Sequence, residues 1–320
     1  MPLFLVYDGK RYGYADETGR VAIAPRFTRL PGLGAERFVD GVAIAFDKKA
    51  GFIDEAGEWI VPPRWDGAFG FREGRAVVSR YTKKRGFSWY ATRDGTLIGP
   101  ERGWAHASAF GDGRGVVQDE PYGPSYLVDE RGEPVGPRRG VGGGPFREGR
   151  APMRDAASGL FGYVDATGDW VIEPRYREVT RFQDGAACVM VGDGHLSYID
   201  RDGGEMFAWD VPYLELAPFS EGLARVYFGD AGKGYVDATG ATVIAPRPEA
   251  WGNFACGRAV HRLRSGFCGF IDRAGEVVIE PRYLVAHDFV DGLARVVPDP
   301  KKPGRFGYVD PSGELVIPPV

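Results

Sequence analysis

The residues best suited to chemistry are few and scattered. Imidazole comes from four histidines, His106, His195, His261 and His287, and thiol from three cysteines, Cys188, Cys256 and Cys268. Nucleophilic or metal-assisted catalysis needs such groups within hydrogen-bond reach of one another, and no GxSxG, GxxxxGK, HExxH or CxxC spacing joins any two along the chain. The cysteines, odd in number and without paired spacing, predict buried thiols in a reducing compartment and no disulfide framework. Carboxylates recur more regularly, at Asp16, Asp54, Asp129, Asp165, Asp200, Asp237, Asp272 and Asp310. Paired carboxylates can bind calcium or hydrolyse glycosides. Each of these, however, stands three residues before a Gly, where an Asp side chain caps a turn. The sequence therefore assigns them to structure, expects no catalytic residue and implies no cofactor or metal.

The elements that hold these turns repeat. The Gly of the phrase G-Y-V-D-x-x-G-x-x-V-I-x-P-R-Y falls at Gly19, Gly57, Gly95, Gly132, Gly168, Gly203, Gly240, Gly275 and Gly313, at intervals of 35 to 38 residues. So steady a period marks a tandem array. A second phrase, F-x-(D/E)-G-x-A-x-V, alternates with the first, from Phe38 to Phe289. Each period thus holds three short strands: a (as in Leu293 to Val296), b (Gly307 to Asp310) and c (Leu315 to Pro318). Asp165 and Gly168, with their siblings, predict a b–c hairpin closed by a G1-type bulge. The Pro after each Val-Ile pair, as at Pro174 and Pro281, is expected to end strand c. Adjacent Tyr and Val in strand b point to opposite faces, as do adjacent Val and Ile in strand c, so both faces of each sheet should be covered by neighbouring units.

The expected fold is all-β, a tandem array of about nine three-stranded antiparallel units. Their approximate spans are 1–38, 39–71, 72–110, 111–146, 147–182, 183–219, 220–254, 255–289 and 290–320, forming one repeat array. An open or spiral β-solenoid-like arrangement is favoured over a closed β-propeller-like ring, because the chain starts with strand a and ends with strand c, leaving no unit split between the termini. The 48 Gly and 24 Pro punctuate these short elements, and little helix is expected.

The phrases running from Gly162 to Tyr176 and from Phe219 to Val226 resemble the bacterial WG-repeat (KWG-repeat) family, and the resemblance covers nearly the whole chain. It implies β-rich tandem units and a role in molecular recognition, and it carries no shared catalytic residues. The Trp-Gly pair itself is mostly replaced here by Tyr or Phe variants before the Asp.

Composition narrows the partner. With 43% hydrophobic and 26% charged residues the chain can build a core, and a net charge of −4 gives no general attraction to nucleic acid or anionic lipid. No apolar run approaches membrane-spanning length and the start, MPLFLVYDGKRYGYAD, lacks signal-peptide features, so a cytoplasmic protein without membrane contact is expected. Arginines recur on strand a (Arg75, Arg114, Arg150, Arg225, Arg258, Arg295) and after strand c (Arg26, Arg64, Arg175, Arg247, Arg282), while acids precede the Gly of the second phrase from Asp40 to Asp291. Matched ladders of this kind should neutralise each other between neighbouring units. The Gly-rich run from Arg138 to Pro145 reads as a flexible connector.

Units three and four depart most from the repeat, and departures are where a partner-binding surface is expected. Its candidate residues are Lys83, Lys84, Arg85, Trp89, Trp104, His106, Tyr122, Arg138 and Arg139. The resulting expectation is a non-catalytic scaffold that binds a protein partner, with an inhibitory or immunity-type role within that class. The alternatives are a carbohydrate or cell-wall binding module using exposed Trp59, Trp170 and Trp209, and an enzyme with a site in units three and four.

Overall fold

The computed structural model describes residues 1–28, 37–192, 194–209, 216–248, 252–298 and 305–319. Apart from one 3-10 turn at Gly229–Ala231, the regular structure among them is antiparallel β. No helix among the described residues is long and apolar enough to cross a membrane.

The repeat unit is clearest at Ala259–Arg262, Cys268–Ile271 and Val277–Tyr283, the strands a, b and c of one small sheet. The b–c hairpin is the one expected. In the Asp165 copy, the Asp165 N–H donates to the Asp169 carbonyl at 2.9 Å and the Gly168 N–H to the Asp165 carbonyl at 3.0 Å, with Gly168 at φ 84°. The Asp165 carboxylate also accepts from the Thr167 N–H at 2.8 Å, which fixes the turn locally.

Three expectations need correction. First, several sheets gain a fourth strand, such as Gly67–Ala68, Glu178–Val179 and Phe219–Ser220, beside strand a. The segment leading to each repeat Phe lies along the open edge of strand a, whose carbonyls accept its N–H groups, as in Phe69 to Val77 at 2.9 Å. Among the described residues the sheets hold, in chain order, three, three, four, seven, four, four, three and four strands, which differs from nine separate three-stranded units. The seven-stranded sheet joins two repeats through the strand Pro134–Gly143, which pairs with Ser125–Val128 on one side and Ala151–Asp155 on the other. The Gly-rich run, read from sequence as a flexible connector, is therefore a bent strand.

Second, the Pro does not end strand c. Strands Trp59–Trp65, Trp170–Tyr176 and Val277–Tyr283 run past it. Strand c lies at the edge of its sheet and its ladder is interrupted at that point, so the missing N–H costs no bond.

Third, the covering of both faces holds for strands a and b but not for c. Tyr163 and Val164, on opposite faces, are both fully buried, as are Phe52 and Ile53, whereas Val171, Ile60, Val243 and Leu315 on strands c are 40%, 40%, 47% and 43% exposed.

Successive sheets are tied by the aromatic residue of strand b. It meets the next repeat's Phe at ring-centroid distances of 5.1 Å (Tyr90–Phe110), 4.7 Å (Tyr163–Phe182), 5.2 Å (Tyr198–Phe219) and 5.0 Å (Tyr235–Phe254). The tyrosine hydroxyl then donates to the carbonyl two residues before that Phe, at Ser108, Thr180, Ala217 and Gly252. Such ring pairs add about 0.5–1.5 kcal/mol each beyond the apolar area they bury.

The chain divides into two compact units, one of Met1–Pro25 with Gln183–Val320 and one of Arg26–Phe182. Within the first, the opening and closing sheets share a core of Phe4, Val6, Ala15, Leu293, Tyr308 and Ile317. The open array had been favoured because no unit is split between the termini; the two end repeats nevertheless pack on each other.

Two stability predictions follow from the repeat geometry. At Gly269 an added Cβ would lie 2.1 Å from the Ile279 carbonyl oxygen and 2.7 Å from the Pro281 nitrogen, both backbone atoms of strand c. Gly269→Ala should cost roughly 2–3 kcal/mol in urea denaturation, against no more than about 0.5 kcal/mol for Gly192→Ala, which meets nothing within 4 Å. The second concerns acid. Bonds from Thr18, led by its hydroxyl, hold the Asp16 carboxyl at about 2, and the Thr239 and Ser312 hydroxyls lower Asp237 and Asp310 in the same way. A depressed folded-state value means stability that is present above the unfolded value near 3.9 and lost as pH falls toward the folded one. Thermal melts should therefore lose midpoint steeply between about pH 4 and pH 2, and Asp16→Asn should blunt that loss.

Candidate binding site

The second phrase of the repeat builds a different turn, and its geometry organises the site. Glu73 at φ 48° and Gly74 at 72° form a two-residue hairpin in which Arg72 and Arg75 exchange backbone bonds of 2.8 and 2.9 Å. Asp40, Asp112, Glu148, Asp184, Glu221 and Asp291 stand at the same place with the same left-handed backbone. From this conformation the carboxylates of Glu73, Asp112, Asp184 and Glu221 meet the following turn. Glu73 accepts from the Asp112 and Gly113 N–H groups at 2.7 and 2.9 Å, Asp112 from Gly149 at 2.7 Å, Asp184 from Gly222 at 2.9 Å and Glu221 from Gly257 at 2.9 Å.

These four acids thus accept from backbone N–H groups, and arginines are not their main partners. The two arginine ladders bond chiefly to the carbonyls of the next repeat's b–c turn. Arg114 donates to Ala166 at 2.9 Å and Arg258 to Pro311 at 3.1 Å, while Arg247 donates to Gly275 at 2.7 Å and Arg282 to Gly313 at 3.1 Å. Mutual neutralisation of Arg and carboxylate, the expected arrangement, gives way to two separate sets of bonds to backbone. The exceptions are Arg75, which reaches both the carbonyl and the carboxylate of Glu130, and Arg26, which reaches the Gly57 carbonyl and the Glu58 carboxylate.

A group of arginines lies next to the repeat Phe residues. In the unit Arg26–Phe182, a cavity of about 540 Å³ is lined by Arg37, Arg72 and Arg147, by Phe69, Phe71 and Phe110, and by Glu73 and Asp112. Burial holds Arg72 below its ordinary pKa, and the neighbouring guanidiniums of Arg147, Arg181 and Arg37 add to the effect. Arg181 is lowered by burial and by Arg147. Arg72 and Arg181 remain cations at neutral pH, because a guanidinium starts far above it. Among the described residues, neither the Arg72 nor the Arg147 side chain makes a hydrogen bond or ion pair, and the nearby Glu73 charge offsets part of the repulsion on Arg72. Space for the cavity comes partly from Gly111, which occupies the position of Arg72 and Arg147 in its own repeat. A Cβ there would lie 2.2 Å from the Phe146 carbonyl oxygen, so the close backbone approach excludes a side chain.

The residues singled out from sequence fall into two groups. Lys83, Lys84 and Arg85 are exposed on a hairpin, where Arg85 pairs with Glu120 at 3.2 Å. Tyr122 is 92% exposed, Arg138 stacks over Tyr126 and pairs with Asp119, and Arg139 pairs with Asp169 at 2.8 Å. His106 lies on the short strand His106–Ala107, and desolvation lowers its imidazole pKa.

Trp89 and Trp104, expected as exposed anchors, are instead 8% and 1% exposed. Trp89 stands where other repeats have the Gly packed on strand c. Its own strand c has shrunk to Leu97–Ile98, and Trp104 pairs with Ser88 in its place. The ring fills the space thus freed, with its Nε1 donating to the Pro100 carbonyl at 3.0 Å. The departure of this repeat is therefore an exchange within the core. Trp59 and Trp170 are half-buried, and Trp59 packs against Phe27; the side chain of Trp209 lies outside the described residues. Among the described residues, no group of three or more His, Cys, Asp or Glu could hold a metal ion.

These features define an all-β protein of small antiparallel sheets stacked in tandem. The WG containing repeat family model matches residues 12–46, 51–80, 161–194, 269–297 and 306–320, and the chain belongs to the WG-repeat family. No curated protein matches it. Among solved structures, the crystal structure of a eukaryotic initiation factor aligns over 100% of this chain and 94% of that one, at TM-score 0.66 and 10% identity. BamB from Moraxella catarrhalis aligns over 85% and 92%, at TM-score 0.47 and 17% identity. The structures of this kind are β-propellers, the architecture ranked second from the sequence, and the likeness is one of fold alone.

Arg72 and Arg147 repel one another, whereas Arg114 is tied to a carbonyl. Arg72→Gln and Arg147→Gln should leave the unfolding free energy within about 0.5 kcal/mol of the parent or raise it, while Arg114→Gln should lower it by about 1 kcal/mol. Chemical denaturation of the three variants side by side measures the difference.

Proposed function

We propose that the chain is a non-catalytic recognition scaffold that binds a protein partner at the arginine-lined cavity of residues 26–182. One observation carries the reading: Arg72 and Arg147 project from hairpins held by backbone bonds, yet have no acceptor of their own among the described residues. Cations brought together with only partial neutralisation, here from Glu73, lower stability, and a fold retains them at a place where a ligand supplies the remaining countercharge. Because the hairpins are already ordered, little entropy would be lost on binding.

A cytoplasmic setting belongs to the same proposal. It is supported only by three free thiols, of which Cys188 is buried, with its thiol pushed up by that burial to about 12.

A photo-crosslinking residue in place of Phe69, in cells of the natural host, should give a discrete protein adduct that Arg72→Glu with Arg147→Glu abolishes. The same residue in place of Val243, on an exposed strand c of the other unit, is the control. Equal labelling from both positions, or none from Phe69, would refute a partner at the cavity.

A further inference from the structure

We infer that the cavity beside Phe69 takes an acidic peptide segment of the partner, one that carries carboxylates next to an apolar or aromatic side chain. The inference rests on the scaffold reading above and adds the chemistry of what is bound. Two features of the lining lead to it, and neither suffices alone.

The first is charge. Arg37, Arg72 and Arg147 line the space together with Glu73 and Asp112, and these two carboxylates already accept from backbone, Glu73 from the Asp112 and Gly113 N–H groups and Asp112 from the Gly149 N–H. A guanidinium presents a planar fork matched to a carboxylate, and several such forks on one wall favour a ligand with more than one acidic group. The second is apolar surface. Phe69 is 59% exposed and sits on the same wall, with Phe71 and Phe110 behind it. An inorganic anion would neutralise the arginines and leave Phe69 in water. A peptide with an acidic residue beside an apolar one covers both, and about 540 Å³ accommodates side chains of that size.

The site also differs from the other arginine positions in the chain. Arg64, Arg114, Arg247 and Arg282 donate to backbone carbonyls of the next turn, so their charges have a structural partner. Arg72 and Arg147 follow the Phe of the second phrase, where other repeats carry Val39, Gln183, Ser220, Ala255 or Val290. The cationic wall is thus a local departure from the repeat and not part of its framework.

The test uses the full chain and three fluorescent probes or competitors: an acetylated hexapeptide Gly-Asp-Phe-Asp-Glu-Gly, the same peptide with Asn and Gln for its acids, and inorganic phosphate. Anisotropy should show the acidic peptide binding the parent, with affinity about tenfold lower for the neutral peptide, for Arg72→Gln with Arg147→Gln, and on raising salt from about 0.05 to 0.5 M. Phe69→Ala should weaken it by a few-fold, and thermal melts confirm that the variants are folded. Equal binding of the two peptides, or unchanged binding to the Gln variants, overturns the inference. So does saturation by phosphate with no binding of peptide, which would make this a small-anion site. The salt series on the parent chain decides the matter even if a variant fails to fold. A crosslinked partner that survives the Gln substitutions would end this inference and leave the scaffold reading intact. Peptide binding with no partner recovered would do the reverse.

Discussion

A sheet of three or four short strands with apolar side chains on both faces cannot stand alone in water, and this constraint governs the whole chain. Each repeat must place its strand-b aromatic against the next repeat's Phe, as Tyr163 does with Phe182 and Tyr235 with Phe254. That contact fixes the spacing between neighbours, and the spacing in turn sets what every turn can reach. Glu73 meets the following hairpin, and Arg114 meets the following b–c turn, because the aromatic contact has already brought those backbones within bonding distance.

Arginine has two separate roles on this framework. Where a turn carbonyl lies opposite, as for Arg247 and Arg282, the guanidinium joins repeats. Where arginines outnumber the acids around them, as around Arg72, the same group is a liability for the folded chain and an opportunity for a ligand. The difference lies in position: Arg247 and Arg282 stand on strand c, whereas Arg72 stands on the strand-a hairpin, three residues before Arg75, which changes what the side chain faces but not its chemistry.

Much of the framework could be read directly. The Asp and Gly three residues apart specify the b–c hairpin, and adjacent Tyr and Val require neighbours on both sides of strand b. The fourth strand was hidden because its pairing is satisfied by backbone: segments such as Gly67–Ala68 carry no β-rich signature and pair only because strand a leaves an edge open. The two tryptophans were misplaced because the loss of most of strand c, which makes room for Trp89, is visible only in three dimensions. The arginine site escaped notice for a related reason. Arg37 and Arg72 come from different repeats and hold different positions relative to the repeat Phe, so neither belongs to a recognisable ladder. A comparison of the residues flanking each Phe would have marked Arg72 and Arg147 as unusual.

The outermost strands carry a row of partly exposed aliphatics, among them Ile60, Val171 and Val243. A greasy edge of this sort normally invites a foreign strand to add itself. Here each such strand contains a proline, Pro63, Pro174 or Pro246, that has no N–H to offer an incoming chain, and the break in its ladder twists the remaining donors out of line. The repeat therefore guards against runaway self-association through its main chain, which frees the side chains along that border from having to be charged.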